Sequence, residues 1–271
     1  MALGFSASAD FGSASIFNLS RSQSAFSKSF AQLASGKRIN SAADDAAGLA
    51  IASGLAASIT QVSQSSRNVS DAASALAIAD GALGQVSEIS VRLQELATAS
   101  ANGTLSDAQR SSLQAEYSAL TSEVTRISES TTYNGKQLLD GSSTSVQIGS
   151  GSESLNVGGV NLQALASTLT SQNIGTQAGA QSAMGAIEQF SKDLSAQKGA
   201  TIDAAMSRLD SVQNNLSSRR IAEQGALSQI QDTDVGSAVL EATRNKVLQQ
   251  YQVSLIKQSS MVQKSVLSIL G

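Results

Sequence analysis

The sequence predicts a mainly α-helical protein: long antiparallel helices forming coiled-coil bundles from both termini, with a small β-hairpin region in the middle. Three observations carry this. The 271 residues include no Pro, so nothing blocks helix propagation through a missing N–H. Ser (50) and Ala (41) make up a third of the chain and aromatics only 3%; Ala buries little area, so thin helical layers suit this composition better than a thick core. Apolar residues also recur at three, four and seven positions, the spacing of one helix face.

At the N-terminal end the stripe is Ile16, Leu19, Phe26, Phe30 and Leu33, and five of the six Phe lie in the first 30 residues. A long helix follows. Ser41 and Asp44 form a near capping box at its start, and Asp44 and Asp45 suit a positive helix end. Its stripe runs Leu55, Val62, Val69, Leu76 and Leu83, then steps by three to Val86, Ile89, Leu93 and Leu96. We read that step as a stammer, with Ile59, Ser66, Ala73 and Asp80 as partner positions of a narrow seam. Asn102-Gly103 ends this helix. Ser106 and Gln109 form a capping box for the next, striped by Leu113, Tyr117, Leu120, Val124 and Ile127, and the short turn makes the two antiparallel.

Composition then changes. No Ala occurs between Ala119 and Ala164, and Glu153 is the only charge from Gly141 to Ile187. Tyr133-Asn-Gly-Lys136 reads as a turn, and the alternation in Ser145–Ile148 and Leu155–Val157 predicts a small β-hairpin, the alternative being a flexible Ser/Gly linker. Helical spacing returns with Met184, Ile187, Phe190 and Leu194, then Ile202, Ala205, Leu209, Val212, Leu216, Leu227 and Ile230. After Asp232-Thr-Asp234 a last helix carries Leu240, Val247, Tyr251, Leu255, Val262, Val266 and Ile269.

The net charge of −3 hides basic ends: +3 over residues 1–43, +4 over 242–271 and −10 between them. These charges are too dilute for a polybasic tract, so neither nucleic acid nor membrane is expected as a partner. The first ten residues have no basic start and no apolar run, and no purely apolar run approaches a bilayer span, so no secretory signal and no membrane helix is expected. With no Cys and no His, disulfides, thiolate nucleophiles, zinc sites and imidazole bases are excluded. Asp44 and Asp45 diverge by about 100° on a helix and cannot flank one bond. Gly81-Ala-Leu-Gly84 lies inside a helical repeat and is no phosphate loop, and Arg219-Arg220 reads as a solvated face. No catalytic, cofactor or metal residues are assigned. The terminal stripes have no large partner next to them in sequence, so both ends are expected to fold on association, against neighbouring copies.

Ser35-Gly-Lys-Arg-Ile-Asn-Ser-Ala-Ala-Asp-Asp-Ala-Ala-Gly48 resembles the N-terminal signature of bacterial flagellins. It is followed in family order by Ser66-Arg-Asn68, Glu95-Leu-Ala97, Ser100–Thr104 and Tyr133-Asn-Gly135. Gln231–Asp234, Val247–Gln250 and Val266–Leu270 resemble the flagellin C-terminus. Two departures are that Met261-Val-Gln-Lys264 stands where a Pro is frequent, and that the large outer domains have no counterpart.

The resemblance implies a structural filament subunit for swimming motility. Such a subunit is exported unfolded by the flagellar type III apparatus to the extracellular flagellum. Implied partners are other flagellin copies, an export chaperone, the filament cap and hook-associated proteins. It implies a terminal coiled-coil domain (1–43 with 231–271) forming the inner tube, a helical rod (44–140 with 181–230), and a short hairpin and loop region (141–180) in place of the outer domains. The assembly residues are then Ile16, Leu19, Phe26, Phe30, Leu33, Val247, Tyr251, Leu255, Val262, Val266 and Ile269, and the signature is Arg38, Ile39, Asn40, Asp44, Asp45 and Gly48. In the family, toll-like receptor recognition uses the region aligned with Val91–Leu96; Arg92 and Leu96 fit it, whereas Gln94 stands where an Arg is common. A hook–filament junction protein and a coiled-coil adhesion or signalling module are the alternatives.

Overall fold

The structure, a computed structural model, describes residues 2–149 and 153–270, with side-chain surroundings for 14–149, 153–262, 264 and 265. The elements are α1 (Ala2–Ser35), α2 (Ala46–Ser100), α3 (Asp107–Ser130), β1 (Thr132–Tyr133), β2 (Lys136–Gln137), β3 (Thr144–Gln147), β4 (Ser154–Val157), α4 (Leu162–Thr170), α5 (Gln177–Gln197), α6 (Ala204–Gln231) and α7 (Val235–Leu270). A π-turn, Lys198–Asp203, joins α5 to α6. The chain forms two compact units: a terminal unit (1–59 with 222–271) and a central unit (60–221). The mainly helical class with a small β region in the middle is what the periodicity and composition predict.

In the central unit α2 supplies the longest seam. Flanked by the buried Leu96, this seam runs through Val62, Ser65, Val69, Leu76, Ala79, Leu83, Val86, Ser90, Leu93, Ala97 and Ser100, all buried, with half-buried Ala72 filling the one gap. These alternate by three and four without a break. The step from Leu83 to Val86 is therefore an ordinary member of the series and no stammer. The partner positions are Ser65, Ala72 and Ala79, each one residue before the expected Ser66, Ala73 and Asp80. The reason is that Ser and Ala carry half the seam, and a count of large apolar residues passes over them.

The helix formed by α5, the π-turn and α6 runs antiparallel to α2. Ser90 Oγ lies 2.9 Å from Ser191 Oγ, Asp80 pairs with Lys198 at 2.8 Å, and Gln213 Nε2 donates to Ser66 Oγ at 2.7 Å. The buried stripe of this helix is Ala180, Ala183, Ile187, Phe190 and Leu194, then Ile202, Ala205, Leu209 and Leu216. Leu194 to Ile202 is a step of eight where the three-four alternation allows seven. One extra residue would rotate everything beyond it off the core by about 100°, and the π-turn absorbs it by widening one turn. The step of eight was visible in the sequence as the signal of this turn.

The linker between α2 and α3 is closed by a buried cation. Arg110, 5% exposed, donates to the carbonyls of Ser100 (3.2 Å), Asn102 (2.8 Å) and Leu105 (3.3 Å). A guanidinium there meets the last carbonyl of a 55-residue helix, at its negative end, together with two carbonyls of the linker. Replacing Arg110 with Met should lower the stability of the central unit by about 2 kcal/mol, read by urea unfolding under circular dichroism. An unchanged midpoint would show the three bonds to be incidental. Across the same turn α3 begins with the expected capping box of Ser106 and Gln109, and Arg92 on α2 reaches Glu116 on α3, so these helices are antiparallel.

The middle region contains two antiparallel hairpins, β1 with β2 and β3 with β4. Asn134 (φ 49°) and Gly135 (φ 78°) occupy the left-handed turn between the first pair, the conformation an Asn-Gly turn supplies at least cost. Thr144–Gln147 faces Ser154–Val157, so the second hairpin falls where alternation placed it and the linker alternative is excluded. Residues 141–180 also contain α4, which the hairpin and loop reading passed over. Asn161 Oδ1 caps it at the Ala164 N–H, and Leu162, Ala166 and Leu169 are buried. Their spacing is helical, but nine residues among turn formers give a short signal.

In the terminal unit α1 and α7 pair antiparallel. Gln249 Nε2 donates to the carbonyl of Ser22 at 3.2 Å, and at the far end the Thr233 N–H donates to the carbonyl of Gly36 at 3.0 Å. The fully buried described residues of α1 and α7 are small, Ser22, Ser29, Ala238 and Ala242, with Leu19, Phe26 and Leu33 half-buried. By length and hydropathy alone the start of α2 passes the test for a membrane span, at mean hydropathy 1.3 over 18 residues. It does so because Ala counts as apolar while scattered Ser and Thr keep the uninterrupted runs short.

Candidate assembly surface

The signature residues form a joint that ties α1, its connection to α2, and the start of α7. Gly36 ends α1 at φ +70°, a backbone angle that a side chain resists. The next residues pair with the segment before α7: Lys37 bridges Asp232, the Arg38 N–H donates to the Gln231 carbonyl at 2.6 Å, and Arg38 Nη2 donates to the Ile230 carbonyl at 2.8 Å. Ile39 is buried at 3% exposure. Asn40 donates back to the Ala31 carbonyl through its amide. Asp44 accepts from the backbone N–H groups of Asn40 and Ser41 and from the Ser41 hydroxyl, and pairs with Lys28 at 2.8 Å.

The cap of α2 is Asp45, whose Oδ1 accepts from the Gly48 N–H at 2.9 Å, and Ser41 belongs to the preceding turn. The expected Ser41–Asp44 capping box is thus corrected by one turn: Asp44 accepts from the Ser41 N–H, but its own N–H donates to the Ser41 carbonyl at 3.0 Å and not to the hydroxyl, so Ser41 closes a turn ahead of α2 without capping it. A side chain at Gly48 would run into Ile39 and Asp45, which explains why the smallest residue stands there.

The Lys28 ammonium, first, and the Asn40 and Ser41 donors hold the Asp44 carboxyl at about 2, well below its ordinary 3.8. A depressed carboxylate stabilises the folded form above the unfolded value, and that contribution is lost as pH falls through the folded value. The joint should therefore loosen between about pH 4 and 2, followed by the Asp44 carboxyl resonance, and Asp44→Asn should remove that step from the acid titration. A titration unchanged by the substitution would contradict it.

Of the expected assembly residues, Ile16, Phe30, Val247, Tyr251, Leu255 and Val262 are exposed and Leu19, Phe26 and Leu33 are half-buried. Phe26 and Phe30 stack with ring centroids 6.2 Å apart. Val266 and Ile269 lie outside the described side chains. Sequence reasoning placed the stripes but missed Phe17 (69% exposed) and Met261 (69%), which widen the apolar surface. In the terminal helix pair Ser and Ala are thus the fully buried residues of the seam, Leu19, Phe26 and Leu33 are half-buried beside them, and most of the large apolar groups face outward.

The two residues expected to face a receptor separate. Arg92 is at the surface, engaged by Glu116 (2.7 Å) and Glu95 (2.8 Å), which raise its pKa further. Leu96 is 3% exposed and packs in the core, so it cannot face a partner. Its three-residue step from Leu93 puts it on the buried side of α2, as the stripe already required. Among the described residues no group of three or more metal-ligating side chains comes together.

Two family models match the chain: the bacterial flagellin N-terminal helical region over residues 13–144 and the C-terminal helical region over 184–270. The flagellin of Halalkalibacterium halodurans is 35% identical over 258 residues, 93% of each chain. The flagellar filament 31.3 kDa core protein of Treponema maltophilum is 30% identical, covering 90% of this chain and 91% of its own. Among solved structures, the crystal structure of Bacillus cereus flagellin superposes with a TM-score of 0.51 at 28% identity, covering 55% of this chain and 88% of that one. With both helical regions matched in order and relatives aligned nearly end to end, the chain belongs to the bacterial flagellin family.

Proposed function

We propose that the chain is a structural subunit that polymerises into the bacterial flagellar filament for swimming motility. The observation that carries this is the outward-facing apolar surface of α1 and α7. A large apolar side chain gains about 1.5–3 kcal/mol when moved from water to full burial. More than ten such side chains stand exposed on these two helices, enough in sum to exceed the roughly 4–15 kcal/mol that association costs. A surface of this kind on identical subunits is buried by repeating the same contact along a polymer.

In this reading residues 1–43 and 231–271 form the inner tube, 44–140 with 181–230 the surrounding rod layer, and 141–180 the short region at the outer side. The signature joint ties α1 to the starts of α2 and α7. Such a subunit would leave the cell unfolded through the flagellar type III apparatus and reside in the extracellular filament. Its partners would be an export chaperone, the cap and hook-associated proteins. The absence of Cys and Pro suits that passage, since no disulfide or slow prolyl isomerisation delays refolding.

Electron microscopy of the purified protein, with and without short filament seeds, tests the proposal. Long uniform tubes growing from the seeds are expected, and a protein that stays monomeric with seeds present would overturn it. Circular dichroism of the two states should show helix content rising on assembly as the terminal pair gains its neighbours.

A further inference from the structure

The central unit contains a cavity of about 380 Å³ that assembly through α1 and α7 does not use. Small residues make room for it: Ala72, Ala75 and Ala79 of α2 and Gly158-Gly159 are part of its lining. Its floor is buried and apolar, built from Leu76, Val146, Val157 and Ile202. Ile202 is the residue that the π-turn delivers into the core. Its mouth is polar: Asp71 and Lys136 are exposed there and Tyr133 is half-buried.

The charges at the mouth are the informative feature. Asp71 and Lys136 have opposite sign and line the same opening, yet among the described residues neither forms an ion pair, with the other or with any third group. The remaining described ion pairs of the central unit join residues close in sequence or on facing helices. An acid and a base that line one apolar pocket without pairing are complementary to a molecule carrying both charges and an apolar tail. A volume of this size falls within the range of small-molecule pockets.

We infer that this cavity binds a free apolar α-amino acid such as leucine. The ammonium group meets the Asp71 carboxylate and the Tyr133 ring face, the carboxylate meets the Lys136 ammonium, and the side chain lies on Ala75, Leu76 and Ile202. Both ligand charges are present at neutral pH. Affinity for so small a molecule is on the order of millimolar, since exposed ion pairs add little and the tail supplies most of the gain.

The test is a calorimetric titration of the full-length monomer with leucine. The controls are 4-methylpentanoate (no ammonium), 3-methylbutylamine (no carboxylate) and glycine (no tail). Leucine should saturate, and each control should bind more weakly. Asp71→Asn should weaken leucine about two- to fivefold while leaving 4-methylpentanoate unchanged, and Lys136→Gln should do the same with 3-methylbutylamine unchanged. Ala75→Leu should fill the cavity and abolish binding, with helix content checked by circular dichroism; the two exposed charge substitutions keep the test decisive if that variant misfolds. No saturable leucine binding would overturn the assignment. So would controls that bind as tightly as leucine, charge variants that bind it unchanged, or undiminished binding by folded Ala75→Leu. The measurement is made on the monomer, so its failure leaves the filament reading untouched.

Discussion

A chain ending at Glu241 should form no filaments, even on seeds, while its central unit stays folded. The truncation removes residues 242–271, most of α7 and with it Val247, Tyr251, Leu255, Met261 and Val262, all exposed. It also strips the small-residue seam of α1 of its partner beyond Ala238. Residues 60–221 keep their core, because it is built from α2, α3, the β3–β4 hairpin, α4, α5, the π-turn and α6 and contains no residue of α7. Sedimentation and electron microscopy would read the loss of polymer, and circular dichroism with urea would read the retained cooperative unfolding. Normal filaments from the truncated chain would remove the basis for assigning assembly to the terminal pair.

The second large effect separates folding from assembly with one residue type. Phe190 is 2% exposed, within the central core. Phe190→Ala should lower stability by about 3–5 kcal/mol, the cost of the lost burial and of the cavity left behind, a large share of what a domain usually has. Phe30 is 62% exposed, and Phe30→Ala should move the unfolding midpoint of the monomer hardly at all, within about 0.5 kcal/mol, yet raise the concentration needed for polymerisation. Equal destabilisation by both substitutions would mean that the surface of α1 is already covered in the monomer.

These two phenylalanines show how far the sequence could be read. Both sit in helical stripes of the same appearance, and periodicity alone made each a core residue of something. Which core could be argued only by elimination, from the missing partner beside α1 in sequence, and that argument did place Phe30 in contacts between copies. The seam of α2 shows the opposite failure. Its large residues were legible, but Ser65, Ala72 and Ala79 were not, because a small side chain is buried by the close approach of another helix and not by its own hydrophobicity. Hence the expected stammer is absent and the partner positions fall one residue earlier than expected, and the receptor-facing role that the resemblance implies for Leu96 conflicts with the core spacing of the same residue. Arg110 left no trace in any pattern, since its role depends on three carbonyls that come together only when the turn between α2 and α3 closes.

What the sequence determined by itself was local and periodic. It set the helical class, the start of α3 at Ser106, the hairpin over residues 144–157, the lack of thiol and imidazole chemistry, and the motifs at both ends that carry the family resemblance. These follow from neighbours within a few turns of chain, where side-chain spacing, caps and turn residues act directly on the backbone. Only the tertiary structure decided which face of each stripe is closed. It put Ser and Ala at the fully buried positions of the α1–α7 seam and most of the large apolar groups outside, absorbed the eight-residue step in a π-turn, and joined the signature to the carbonyls of Ile230 and Gln231. Each of these is set by contact between segments far apart in sequence, and burial is a property of such contacts that no single residue carries alone.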